Sequence, residues 1–160
     1  MGCNRNVPGG SAPGSTNIIM SLKMLDGVVA RQVHIQVGGK DVEATVFPKD
    51  LGQSALFLCY YHLPSPAEDK EASWVAINAE INRCVANVGG EIFSRKDFLA
   101  AEYPTAEVVA KSSKKQSHSI RCRVICTGKE IQSLTAITPD NQDAAHTQAL
   151  DKMFYEFNAK

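Results

Sequence analysis

From residue 33 to residue 37 the chain alternates: Val33, Ile35 and Val37 are apolar, while His34 and Gln36 are polar. A period of two belongs to a strand with one buried and one wet face. The run VVARQVHIQV (28–37) meets DVEATVF (41–47) through Gly38-Gly39-Lys40, a link whose glycines supply the positive φ of a hairpin turn. No Walker pattern surrounds these glycines and no helical pattern follows, which argues against a phosphate loop. Residues 54–63, SALFLCYYHL, are almost continuously apolar and read as a central strand. Pro64 and Pro66 end it, because proline cannot donate to a ladder.

A different period follows. Trp74, Ile77, Ile81, Cys84, Val85 and Val88 recur at steps of three and four, one apolar stripe of a helix. Glu68, Asp69 and Glu71 sit at its positive end, and Gly89-Gly90 stands where a left-handed cap belongs. The second half reads as a meander of AEVVAK (106–111), SIRCRVIC (119–126) and EIQSLTAI (130–137), with Thr127-Gly128-Lys129 as the last turn. A further short strand is expected around residues 91–94. Thr138-Pro139-Asp140-Asn141 offers a helix N-cap, and His146, Leu150, Met153, Phe154 and Phe157 form a second amphipathic stripe. The order β-β-β-α-β-β-β-α predicts an α+β sandwich: a mainly antiparallel sheet with two packed helices.

Composition narrows the function classes. The chain has 160 residues, 44% hydrophobic and 21% charged, which suits one folded domain. Lys plus Arg and Asp plus Glu both number 17, so the formal net charge is zero. A nucleic-acid binder draws most of its affinity from excess basic charge, and that class is disfavoured. No run approaches the roughly 20 apolar residues of a membrane-spanning helix.

Residues 1–24 read as a flexible tail or linker, and residues 25–160 as the single domain. The first sixteen, MGCNRNVPGGSAPGST, are rich in Gly, Pro, Ser and Asn. Gly2-Cys3 before a polar tether is similar to the processed end of a bacterial lipoprotein, making Cys3 the candidate lipidation site. The apolar signal segment that such a processed end implies does not precede it in this sequence. The other reading is an incidental cysteine on an unstructured start. Asn6 stands where the myristoylation pattern needs Ser or Thr.

Short motifs carry a resemblance. Tyr60-Tyr61-His62-Leu63-Pro64 ends a strand, Val88-Gly89-Gly90 closes a helix, and Glu102-Tyr103-Pro104-Thr105-Ala106-Glu107 follows. Then come Arg121-Cys122-Arg123, Gly128, Gln132-Ser133-Leu134 and Phe154-Tyr155-Glu156-Phe157. Over residues 41–157 this series resembles the PsbP-like family of small bacterial proteins, often lipoproteins. Their fold is shared with a photosystem II extrinsic protein and a Ran-binding nuclear-import factor. The resemblance implies the layered α/β sandwich. Two positions depart from it: Glu102 replaces a small residue or Gly, and Gln132 replaces an aromatic. The metal, photosystem and Ran contacts of those relatives have no recognisable counterparts among these residues.

The chemistry-bearing residues yield little. Five cysteines without C-x-x-C spacing argue against a dense disulfide framework, and four of them fall inside apolar patterns as small buried hydrophobes. Cys122 and Cys126 share a strand face about 13 Å apart, too far to chelate one ion or to bond. Cys59 and His62 point to opposite faces, Cys84 with His34 is the other nominal pair, and no nucleophile motif occurs. No catalytic residue, cofactor or metal is expected. Lys111, Lys114, Lys115, His118, Arg121 and Arg123 cluster without an acidic residue among them. They read either as a solvated hairpin edge or as a surface for an anionic or acidic partner. Arg121 and Arg123 share a face with Ile125, opposite Ile120, Cys122, Val124 and Cys126. The expectation is a non-catalytic binding or accessory module tethered to the bacterial cell envelope or periplasm. The partner would be an unidentified protein or anion and not nucleic acid. The alternatives are a cytoplasmic interaction domain of the same fold and, third, an enzyme of unknown type.

Overall fold

The computed structural model describes residues 26–112 and 118–157. Strand β1 (Arg31–Val37) turns at Gly38-Gly39, both at positive φ, into β2 (Lys40–Asp50), and β3 (Ala55–His62) follows. Helix α1 (Lys70–Asn87) separates these from β4 (Gly90–Ala100), β5 (Tyr103–Ser112), β6 (His118–Cys126) and β7 (Glu130–Pro139), and helix α2 (Ala144–Glu156) comes last. All seven strands pair antiparallel in the order β1-β2-β3-β7-β6-β5-β4. The α+β sandwich expected from the hydrophobic pattern is therefore present. The short strand expected at 91–94 is an eleven-residue edge strand, so four strands and not three lie between the helices. Its polar run Ser94-Arg95-Lys96-Asp97 hides it from pattern reading, because an edge strand has no need of a buried face.

Both faces of the central strands are covered, which explains why their apolar residues run on without alternation. Cys59, Tyr61, Ile120, Cys122, Val124, Cys126 and Ile131 meet Ile77, Ile81 and Val85 of α1 on one face. On the other, Leu56, Leu58, Ile125, Leu134 and Ala136 meet Leu150, Phe154 and Phe157 from the second helical stripe. Asp69 caps α1 by accepting from the Ala72 N–H, as the acidic start implied. The cap of α2 differs from the expected one. Strand β7 continues through Pro139, and Asp143 accepts from the His146 N–H at 2.7 Å.

Two positions, Glu102 and Gln132, carry a cost. The β4–β5 turn holds Ala101 at φ 47 and Glu102 at φ 73, left-handed values that glycine adopts more cheaply. Gln132 is fully buried under α2, and neither its amide oxygen nor its nitrogen has a partner among the described residues. Replacing an unsatisfied buried amide by an apolar group of similar shape removes a desolvation penalty. Gln132→Met is expected to raise the unfolding free energy by about 1–3 kcal/mol, and Glu102→Gly by about 1 kcal/mol. Urea unfolding measures both, and a destabilised Gln132→Met would mean that the amide is satisfied after all.

Candidate functional site

Within the apolar stripe of α1 stands one acid. Glu80 sits among Ile77, Ile81 and Cys84, and only 1% of it is exposed. A carboxylate held there must fill its lone pairs. Its Oε2 accepts from the Tyr61 hydroxyl at 2.9 Å and from Arg83 Nε at 2.8 Å. Its Oε1 accepts from Arg83 Nη2 at 2.6 Å, the Ser133 hydroxyl at 2.8 Å and the Cys84 thiol at 3.4 Å. One side chain thus binds α1 to β3 and β7. Burial pulls the Arg83 guanidinium toward losing its proton, but the hydrogen bonds and charge of Glu80 outweigh that and hold its pKa above the ordinary value. Burial, then Glu80, pushes the Tyr61 hydroxyl well up.

Beside this pair a cavity of about 260 Å³ lies between the sheet and the C-terminal half of α1. Val33, Ile35, Val46, Phe57, Ile137 and Val88 supply its apolar walls. Arg83, Asn87, Ser133, Thr135, Cys59 and Cys84 supply its polar atoms. Arg83 is the cation in this lining, with 26% of its side chain exposed. Its Nε and Nη2 are spent on Glu80, and Nη2 also lies 3.9 Å and 4.0 Å from the sulfurs of Cys59 and Cys84. Nη1 has no protein partner among the described residues.

The thiols here are held protonated. Burial, reinforced by the charge of Glu80, pushes Cys59 from 9.0 up to about 12. Cys84 is driven up further, first by a hydrogen bond shared with Cys122 and then by burial. Cys59, Cys84, Cys122 and Cys126 are free thiols, and Cys122 also accepts from the Thr135 hydroxyl at 3.3 Å. A protonated, buried thiol is a poor nucleophile and a poor metal ligand. Among the described residues no group of three or more His, Cys, Asp or Glu could hold a metal ion. His34 is not near Cys84 in the bonding network: its ring contacts Asp41 on the exposed side of the β1–β2 hairpin. His62 pairs with Glu130 at 3.2 Å.

The basic cluster is divided by the fold. Lys114, Lys115 and the Cys3 site lie outside the described residues. Lys111 is exposed, with its ammonium 5.4 Å from the Phe93 ring. His118 opens β6 and is half-buried. Arg121 and Arg123 share a face with Ile125, but that face is packed beneath α2. Arg123 is buried, pairs with Glu107 and donates to the Phe154 carbonyl. Arg121 donates to Glu107 at 3.0 Å and to Asp151 at 2.5 Å. The Phe154 ring lies 4.2 Å from the Arg121 guanidinium and 5.7 Å from that of Arg123. The acids absent from the local sequence arrive from β5 and α2, and both arginines hold the second helix down. They are not a hairpin edge, since β6 lies two strands inside the sheet.

Two features escaped the sequence. Glu80 looks there like an ordinary helix acid, one step off the apolar positions. The Ser54 hydroxyl and His146 Nε2 meet across 92 positions of chain. No carboxylate contacts His146 Nδ1 among the described residues, so the pair ties the start of α2 to the start of β3 without a triad.

No family model matches the sequence, and comparison with curated proteins found no significant match. Solved structures resemble it distantly. PA94, a Pseudomonas aeruginosa protein of unknown function, aligns over 79% of this chain and 94% of its own, with 13% identity and a TM-score of 0.48. LpqN, involved in cell envelope biogenesis of Mycobacterium tuberculosis, aligns over 81% of this chain and 75% of its own, with 13% identity and a TM-score of 0.46. Among the described residues no helix is long and apolar enough to cross a membrane.

Two outcomes follow from the Glu80 cluster. Glu80→Gln leaves the Arg83 charge without its partner and is expected to cost about 3 kcal/mol in urea unfolding. Tyr61→Phe, which removes one of several donors, is expected to cost about 1 kcal/mol. A Glu80→Gln protein as stable as the wild type would show that the carboxylate holds nothing together. The thiols set an alkaline limit. The unfolded chain releases the Cys59 proton near pH 9.0, whereas the fold retains it to about 12. Stability then falls as pH rises through that window, by about 1.4 kcal/mol per pH unit for each such thiol. Cys59→Ala is expected to flatten the fall, read from urea midpoints between pH 8 and 11.

Proposed function

We propose that the chain is a non-catalytic binding module and that the cavity beside Arg83 is its binding site. The observation that carries this reading is an apolar-walled cavity whose guanidinium keeps one nitrogen, Nη1, without a partner among the described residues. Its volume of about 260 Å³ suits a small organic ligand. The walls favour a hydrocarbon body, and Nη1 favours a carboxylate or another oxygen-bearing head group. A medium-chain carboxylate has that chemistry, with its chain against Val33, Ile35, Val46 and Phe57. The absence of catalysis is supported by the chemistry of the lining. Cys59 and Cys84 are held protonated, no histidine among the described residues lines the cavity, and the Glu80 oxygens are engaged by protein donors.

Gly2-Cys3 and the polar tether after it support attachment to a bacterial envelope, which would place the module where amphipathic carboxylates collect. The cytoplasmic alternative is separated by the mass of the N-terminal peptide from natively expressed protein, since a diacylated Cys3 excludes it.

Titration of the full chain with decanoate tests the site. Saturable binding is expected, with Arg83→Met weakening it at least tenfold and Val46→Trp abolishing it by filling the cavity. Binding that survives Val46→Trp, or no saturable binding in the wild type, would overturn the assignment.

A further inference from the structure

Helix α1 packs chiefly on β4 to β7, so the β1–β2 end of the same sheet face is only partly covered. Val33, Ile35 and Val37 of β1 are half-buried there. Toward this end the helix carries small side chains: Ala72, Ala76 and Ala79 recur at steps of four and three, and Arg83 follows one turn later. Beside the alanines lies a second hollow of about 360 Å³, walled by Val37, Leu63, Ala72, Val75 and Ala76. Its polar residues, Lys40 and Ser65, are exposed and stand at its rim.

The two hollows adjoin. On β1, Ile35 lines the first, and Val37, the next residue on that face, lines the second. On α1, Arg83 lines the first and Ala79, one turn away, the second. Cys59 of β3 lines the first and Leu63, just past that strand, the second, with Tyr61 between them on the same face. Glu80 draws the Arg83 guanidinium toward this boundary, because the carboxylate that holds Nε and Nη2 also accepts from Tyr61. The cation therefore stands where the hollows meet, with an apolar compartment on either side.

A single-chain carboxylate anchored on Arg83 fills one compartment and leaves the apolar walls of the other wet. One head group carrying two hydrocarbon chains covers both from the same anchor, and each methylene removed from water adds to affinity. The hollows together fall within the roughly 300–1,000 Å³ of small-molecule sites. Among the described residues no acid lines either one, and each holds a cation, Arg83 or Lys40. We propose that the ligand is a two-chain anionic lipid, its head group at Arg83 Nη1 and one chain in each hollow. This rests on the ligand site proposed above and specifies what that site takes.

Dioctanoyl phosphatidate and mono-octanoyl lysophosphatidate share a head group and differ by one chain. Titrated into the full chain below their micellar concentrations, the two-chain lipid is expected to bind with single-site stoichiometry and at least about tenfold tighter. Ala76→Trp fills the second hollow. It should bring the two lipids to equal affinity and leave decanoate binding as in the wild type, which also shows that the variant folds. Should Ala76→Trp lose decanoate as well, Ala79→Trp, at an exposed position of the same hollow, replaces it under the same expectation. Equal wild-type affinities for the two lipids would overturn the proposal, as would a two-chain advantage that survives the tryptophan. Wild-type protein that binds decanoate without that advantage keeps the site and loses the second chain. Protein that binds none of the three probes loses both.

Discussion

The buried carboxylate of Glu80 is the constraint around which one face of this protein is arranged. Left unpaired in a core of Ile77, Ile81 and Val85, it would cost several kcal/mol. The fold meets that cost with donors from three elements: Tyr61 on β3, Ser133 on β7, and Arg83 and Cys84 on α1. Each donor restricts the helix a little further, so its rotation and height above the sheet follow from one residue. The cavity is a consequence of the same geometry. Arg83 turns its Nε and Nη2 to Glu80, and the C-terminal half of α1 leaves space above Val46 and Phe57.

The opposite face solves a related problem with charges of reversed origin. There the sheet supplies the arginines, and Glu107 and α2 supply the acceptors. Phe154 packs against both guanidinium groups while its carbonyl accepts from Arg123. Arg121 reaches Asp151, and His146 meets Ser54 at the other end of the helix. The short α2 is therefore held by polar contacts near both ends and by Leu150, Phe154 and Phe157 between them. Two arginines that look like a binding surface when read along the chain are in this setting part of the attachment of a helix.

Much of the architecture is legible from local pattern. Strict alternation marks β1, continuous apolarity marks β3, and a three-and-four spacing marks α1. Each reports burial by immediate neighbours, and a chain of one residue after another records that directly. Strand β4 was legible only as a fragment, because an exposed edge strand needs no apolar period. The cap of α2 was misplaced by three residues, since Asp140 and Asp143 both satisfy the local rule and only the end of the β7 ladder chooses between them. The site was barely legible. Nothing in Asn78-Ala79-Glu80-Ile81 reveals that Tyr61 and Ser133 will close on the carboxylate, and Ser54 and His146 are 92 positions apart.

By itself, then, the sequence determined where most strands and both helices would lie, where the tight glycine turns fall, and which apolar stripes of those elements would be dry. Those properties depend on backbone sterics and on the free energy of removing nearby apolar groups from water, both of which act over a few residues. Tertiary structure alone decided which charges would meet. Arg121 and Arg123 became helix anchors and Glu80 the centre of a buried network because electrostatic and hydrogen-bonding energies depend on distance in space. In a sheet ordered β1-β2-β3-β7-β6-β5-β4, strands far apart in sequence become neighbours, and with them the groups that neutralise one another.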